Sequence, residues 1–186
     1  MSDIAILKEM IQESAKVPLV EDSYGKKKVT LREPPPADYS VTIDGMPDYA
    51  QVIVIKADAF PAPKTVFIGS KGECKRADFV IIADGKKKVI LCIEMKAGKG
   101  ESETDIIAQL KGAKCFVAYC REIGQLFWNK PNFLKDYEYR FVSIKNIKIN
   151  KTSTRFDPTP HFFSDIQILK RIGSYFQFND LIQCKR

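Results

Sequence analysis

Val89-Ile90-Leu91-Cys92-Ile93-Glu94-Met95-Lys96 decides how this chain folds. The unbroken apolar run Val89–Ile93 describes a strand buried on both faces. Two opposite charges at the end of such a strand need a reason to be there. Side chains alternate across a strand, so Glu94 and Lys96 share one face. A second apolar run, Phe79-Val80-Ile81-Ile82-Ala83, is opened by Asp78 and joined to the first by Asp84-Gly85, a strong hairpin turn. An Asp, a Glu and a Lys thus converge from two adjacent strands. Hard cations such as Mg²⁺ prefer carboxylate and carbonyl oxygens and activate water for attack on phosphorus. The set therefore suits metal-assisted phosphodiester hydrolysis. Asp78 and Glu94 supply carboxylates, the Met95 carbonyl supplies a third oxygen, and Lys96 positions the attacking water or stabilises the growing charge. Asp/Glu-x-Lys recurs at Glu73-Cys74-Lys75 and Asp84-Gly85-Lys86, but both fall in predicted turns where charge is solvated.

Outward from this hairpin, Ala97-Gly98-Lys99-Gly100 breaks the strand and Ser102 caps a helix whose apolar positions include Ile106, Ile107, Leu110, Ala113, Phe116 and Val117. The helix is expected to end near Arg121 or Glu122, with Gly124 at its stop. Tyr139–Ile144 reads as the next strand, and Ser164 as the cap of a final amphipathic segment, Ile166 to Phe178. Upstream, residues 3–16 have helical spacing, Ser23–Leu31 reads as a hairpin, and residues 33–50 read as a long loop or insertion. Gln51–Ile55 and Thr65–Ile68 are expected strands. The whole is one domain, 1–186, of α/β (α+β) class: a central mixed sheet flanked by helices, with residues 150–186 as a C-terminal helical extension.

With 186 residues, 45% of them hydrophobic and 28% charged, the chain suits a single globular core. No apolar run is long enough to cross a membrane, and no signal peptide is recognisable, so a cytoplasmic location is expected. Five cysteines without a CxxC pair read as reduced packing thiols. A single histidine, His161, excludes multi-His metal sites. The net charge of +7 favours polyanionic partners.

Asp78, fifteen intervening residues, then Glu94-x-Lys96 before a glycine turn and a helix resembles the PD-(D/E)xK nuclease superfamily, the restriction-endonuclease-like fold. Ala77 stands where the motif's name has Pro. The resemblance runs from about Val66 to Ile149 and implies an αβββαβ core, completed by the N-terminal helix. It implies that Asp78 and Glu94 bind Mg²⁺ (or Mn²⁺), that Lys96 assists catalysis, and that Glu13 or Glu9 on the first helix joins the metal site. Gln109 looks like the helix glutamine of RecB-like members, although no Tyr follows it by four residues. Lys71, Lys75, Arg76, Lys99, Lys111 and Lys114 flank the motif and are candidate nucleic-acid contacts. The resulting expectation is a Mg²⁺-dependent nuclease acting on DNA through a metal-activated water, as a homodimer or as a subunit of a defence or repair complex. The alternatives are an RNA-cleaving member, and a non-catalytic nucleic-acid-binding or assembly protein that retains the fold.

Overall fold

A computed structural model describes residues 1–35, 38–97, 102–146, 161–163 and 166–183. The elements run α1 (Asp3–Met10), β1 (Val20–Glu21), β2 (Lys27–Glu33), β3 (Tyr39–Asp44), β4 (Val52–Lys56), β5 (Phe79–Asp84), β6 (Lys88–Ala97), α2 (Glu103–Phe127), β7 (Glu138–Asn146), β8 (His161–Phe163), β9 (Ile166–Ile172), β10 (Tyr175–Gln177) and α3 (Phe178–Ile182). They form a mixed α/β fold built on two mixed sheets. The larger has the order β4-β5-β6-β7-β9-β8 and the smaller β1-β2-β3-β10. Strands β4, β5 and β6 are antiparallel neighbours, whereas β7 lies parallel to β6, a pairing that requires the crossover α2 provides.

The apolar strands are buried on both faces because each face of the large sheet meets its own layer. Ile90 and Cys92 of β6, with Val80 and Ile82 of β5, pack under α1 and α2 against Ile4, Leu7, Leu110, Ala113 and Val117. The alternate residues, Val89, Leu91, Ile93 and Met95, pack against Val29, Leu31, Val41 and Ile43 of the small sheet. The order of layers is helices, large sheet, small sheet. Helix α2 starts as its sequence dictates, with the Ser102 hydroxyl accepting from the Asp105 N–H at 3.1 Å.

Four expectations are corrected. Thr65–Ile68 is not a strand: it lies in an exposed connection, and the β-β-β run of the core is β4, β5 and β6. Residues 33–50 are not one long loop, because Tyr39–Asp44 forms β3; its inward Tyr39, Val41 and Ile43 alternate with more exposed polar residues, a period the surrounding Pro and Gly residues obscure. The C-terminal segment is not a helical extension. Ile166–Ile172 is a strand parallel to β7, and only Phe178–Ile182 is helical. Ser164 lies outside the described residues. Helix α2 continues past Glu122 to Phe127, and Gly124 sits inside it, pressed against the Phe133 ring.

Gly112 fixes how closely α2 approaches the segment leading into β5. A Cβ there would lie 2.0 Å from the Lys75 carbonyl oxygen, which is backbone and has no rotamer to change. Replacing a helical glycine by alanine normally gains about 1 kcal/mol. Here the overpacking term of about 1–3 kcal/mol opposes it and wins. Gly112→Ala is therefore expected to lower the denaturant midpoint, and a raised midpoint would contradict the packing described.

Candidate active site

The last pair of the ladder between β5 and β6 is Phe79 with Ile93. Asp78 lies in the bend just before β5, one step beyond that pair, and its carboxylate feels the charge of Glu94, like charges that destabilise each other at close range. Continuing across the sheet, Glu94 is in register with Ser143 of β7, and Ser143 with Lys170 of β9. Glu94, Ser143 and Lys170 thus form one polar row across β6, β7 and β9, on the face that carries α2, with Asp78 at the foot of β5 beside it. Lys96 and Lys145 form the next row outward. The apolar alternation of each strand runs out at the same level, which is why the site lies at the end of the sheet.

Glu94 and Ser143 are buried, and Asp78 and Lys170 are half-buried. Glu94 has no solvent exposure, and Lys96 reaches back to its Oε1 at 2.5 Å. The Met95 N–H donates to Asp78 Oδ2 at 2.5 Å. The N–H and C=O of an extended residue point to the same side of its strand, so the Met95 carbonyl also opens toward Asp78. Ser143 Oγ is buried without a hydrogen-bond partner. Burial first, then the adjacent Glu94 charge, pushes the Asp78 carboxyl up to about 8, against the hydrogen bond from Met95 and the charge of Lys96.

Gln109 lies on α2, which packs over the same face of the sheet. On α2, Asp105, Ala108 and Gly112 face residues 72–76, while Ile106, Leu110 and Ala113 enter the core. At 3.6 residues per turn, Gln109 falls between these two sides. Its Oε1 is buried and has no hydrogen-bond partner. The first-helix candidates are not brought in. Glu9 is exposed and accepts from Trp128 Nε1 at 3.1 Å, and Glu13 lies in a 3₁₀ turn paired with Lys16 at 2.6 Å.

The carboxylate that sequence reading missed is Glu33. It ends β2 with the inward parity of Val29 and Leu31, and is paired in register with Tyr39 of β3. Burial raises the Glu33 carboxyl, with Asp58 adding to the effect and Lys96 opposing it. Tyr39 is buried with its hydroxyl unpartnered, and burial together with Asp78, Glu33 and Glu94 raises its pKa. The small sheet therefore delivers Glu33 and Tyr39 to the electrostatic environment of the Asp78–Glu94 pair. The available signal was Glu33 at the end of an alternating run, but Pro34-Pro35-Pro36 drew that run into a predicted loop.

Among the described residues no three acidic, thiol or imidazole side chains converge tightly enough to form a metal-binding group by themselves. The fit to a cation rests on the neighbouring Asp78 and Glu94 carboxylates and the Met95 carbonyl. A hard cation that keeps several waters and takes one or two carboxylates suits this donor set.

The candidate phosphate contacts separate into distinct groups. Lys71 and Lys111 are exposed. Lys75 is ion-paired with Asp105, and Arg76 donates to the Lys75 and Pro61 carbonyls while lying over the Phe60 ring. Both cations thus hold the local structure together. Lys114 lies over Tyr139, four residues along β7 from Ser143, or about 13 Å at 3.3 Å per residue. Lys99 lies outside the described residues. The tips Lys26–Lys27 and Lys86–Lys87 line one shared depression with Gln51 and Phe178, at the opposite end of β6 from Glu94.

Comparison of the chain with protein-family models, with curated protein sequences and with solved structures returns no match. No helix among the described residues is long and apolar enough to cross a membrane.

The Asp78 shift sets the pH dependence of stability. An unfolded aspartate ionises near 3.9, whereas this carboxyl ionises at about 8 when folded. The folded state holds the proton more tightly, so the contribution is full below about pH 4 and is lost as pH rises toward 8. In metal-free buffer, wild type should lose stability relative to Asp78→Asn between pH 5 and 8, by on the order of 4 kcal/mol. Urea unfolding at the two pH values measures the difference, and parallel pH profiles would exclude the burial of Asp78 beside Glu94.

Proposed function

We propose that the protein is a Mg²⁺-dependent nuclease that hydrolyses phosphodiester bonds, in DNA, at the site formed by Asp78, Glu94 and Lys96. The observation that carries this reading is a fully buried carboxylate, Glu94, ion-paired with the half-buried Lys96 and within electrostatic reach of the half-buried Asp78 carboxylate. Such a pair of carboxylates is relieved either by a proton or by a shared cation. The element order around it, α1, then β4-β5-β6, α2 and β7, is the order that a restriction-endonuclease-like core requires, with β1–β3 placed between α1 and β4.

Asp78, Glu94 and the Met95 carbonyl would hold Mg²⁺ or Mn²⁺. When bound, the cation supplies Lewis-acid activation of water and neutralises charge on the phosphoryl oxygens. The chain's own groups do the rest. The Met95 N–H fixes one oxygen of Asp78, leaving the other for the cation. Lys96, held against Glu94, brings positive charge to the place where negative charge grows on the phosphate, and orients the water that attacks. Gln109, with a buried and unpartnered carbonyl oxygen, would accept from that water. Lys71, Lys111 and Lys145 are the exposed or partly exposed cations on hand for the flanking phosphates. The reading extends to a cytoplasmic enzyme acting as a homodimer or within a defence or repair complex.

Wild type with Mg²⁺ is expected to nick or cut duplex DNA, and chelation should abolish cleavage. Glu94→Gln and Lys96→Met, each checked for folding by circular dichroism, should each reduce the single-turnover rate by at least about 100-fold, the usual scale for a lost charge-stabilising or acid–base group. Cleavage of RNA but not DNA would revise the substrate. Failure of wild type to cleave either, or survival of cleavage in both variants, would sink the catalytic assignment and leave a nucleic-acid-binding or assembly role.

A further inference from the structure

Residues 57–77 connect β4 to β5 and begin and end beside Asp78, with the Ala57 N–H donating to the Asp78 carbonyl at 2.8 Å. The middle of this connection holds Val66-Phe67-Ile68, whose exposures are 75%, 55% and 96%. Three consecutive apolar residues in water are unfavourable for an isolated chain. A loose loop would fold them inward, but this one is braced to keep them out.

The bracing is specific. The N–H groups of Val66 and Phe67 donate to the Pro63 carbonyl at 3.0 and 2.9 Å. The Glu73 carboxylate accepts from the Gly69 and Lys71 N–H groups at 2.9 and 2.8 Å, and its own backbone N–H first, then those of Lys71 and Gly69, hold it below the usual carboxylate range. Gly69 and Gly72 have φ of +84° and +82°, which glycine adopts without strain. The Cys74 thiol reaches the Phe67 carbonyl at 3.6 Å. Beyond the turn, Lys75 pairs with Asp105, and Gly112 lets the strand-leading backbone lie against α2. The apolar tip is thus presented on a pre-organised support, which lowers the entropy lost on engaging a partner.

Exposed Lys64 and Lys71 bracket the tip on a chain of net charge +7. Apolar side chains between cations fit a partner with an anionic exterior and an apolar interior. We propose that Val66-Phe67-Ile68 is a wedge that enters a nucleic-acid duplex and unstacks a base step next to the phosphate presented to Asp78 and Glu94, with Lys64 and Lys71 on the flanking phosphates. This rests on the nuclease reading and adds how the duplex is engaged. Wedges of this chemistry pry base steps apart in other DNA-bound proteins, and a phenyl ring stacks on an exposed base whatever its identity. An anionic membrane surface has the same gross chemistry, but both ends of the connection lie beside Asp78, which favours nucleic acid.

The test uses full-length protein, Ca²⁺ in place of Mg²⁺ to suppress cleavage, and duplexes carrying 2-aminopurine at successive positions. Wild type at saturating concentration should raise the fluorescence at one or two adjacent positions. Phe67→Ser/Ile68→Ser should abolish that rise and weaken binding about tenfold, the size of one lost base stack. Its thermal midpoint and the salt slope of binding should be unchanged, because both residues are exposed and uncharged. Saturable binding with no fluorescence change at any position overturns the wedge while leaving the nuclease reading intact. Absence of any duplex binding removes both. Phe67- and Ile68-dependent binding to vesicles containing phosphatidylserine, without the fluorescence rise, assigns the tip to a membrane and overturns the proposal.

Discussion

The closeness of Asp78 and Glu94 at the foot of the antiparallel β5–β6 pair is the constraint on which the rest of the site depends. Two carboxylates within reach of each other, one of them fully buried, cannot both be charged without compensation. The fold supplies part of it at the site: the Met95 N–H on Asp78, and Lys96 against Glu94. What remains is seen in the Asp78 carboxyl, still pushed well above its ordinary value. A packing optimum would place apolar residues at these positions, as it does one row inward with Val80 and Cys92. The chain instead keeps charge where hydrocarbon would be more stable, and buried charge of this kind is most economically explained by chemistry.

The three layers exist to hold that site still. The large sheet fixes the register that brings Glu94, Ser143 and Lys170 into line beside Asp78. Helix α2 closes one side, tied to the sheet by the 2.8 Å pair of Glu103 with Lys170 and to the β5 approach by Lys75 with Asp105. The small sheet seals the opposite face through Leu31, Val41 and Ile43, and its β2–β3 pair contributes Glu33 and Tyr39. Each layer therefore supplies both packing and at least one polar group to the same end of the molecule.

The core of this arrangement was legible in the sequence because it rests on local pattern. Val89–Ile93 is apolar without a break, so its burial on two faces could be read directly, and Asp84-Gly85 marked the antiparallel return, although the three-residue connection Gly85–Lys87 between paired Asp84 and Lys88 is what sets its register. The Ser102 cap and the α2 face were equally local. What could not be read depended on pairing between distant segments. Thr65–Ile68 has strand composition yet lies in water, because it has no neighbour to pair with and its turn bonds hold it outward. Ile166–Ile172 has both helical and strand periodicity in so short a run, and only its place beside β7 decides the matter. Ser143, Lys170 and Glu33 were missed at the site for the same reason: nothing in their own neighbourhoods says which residues of β6 they stand beside. The first-helix carboxylates failed in the opposite sense. Glu9 and Glu13 were implied by analogy, and local contacts with Trp128 and Lys16 hold them elsewhere.

The central claim is that the neighbouring Asp78 and Glu94 carboxylates form a site for one hard divalent cation. The most direct measurement is equilibrium Mn²⁺ binding at pH 8, following the electron paramagnetic resonance signal of the free ion, for wild type and for Glu94→Gln. The account predicts one ion per chain for wild type, competed by Mg²⁺, with affinity reduced at least about tenfold in the variant. Absence of stoichiometric binding in wild type, or binding that Glu94→Gln leaves unchanged, would contradict it.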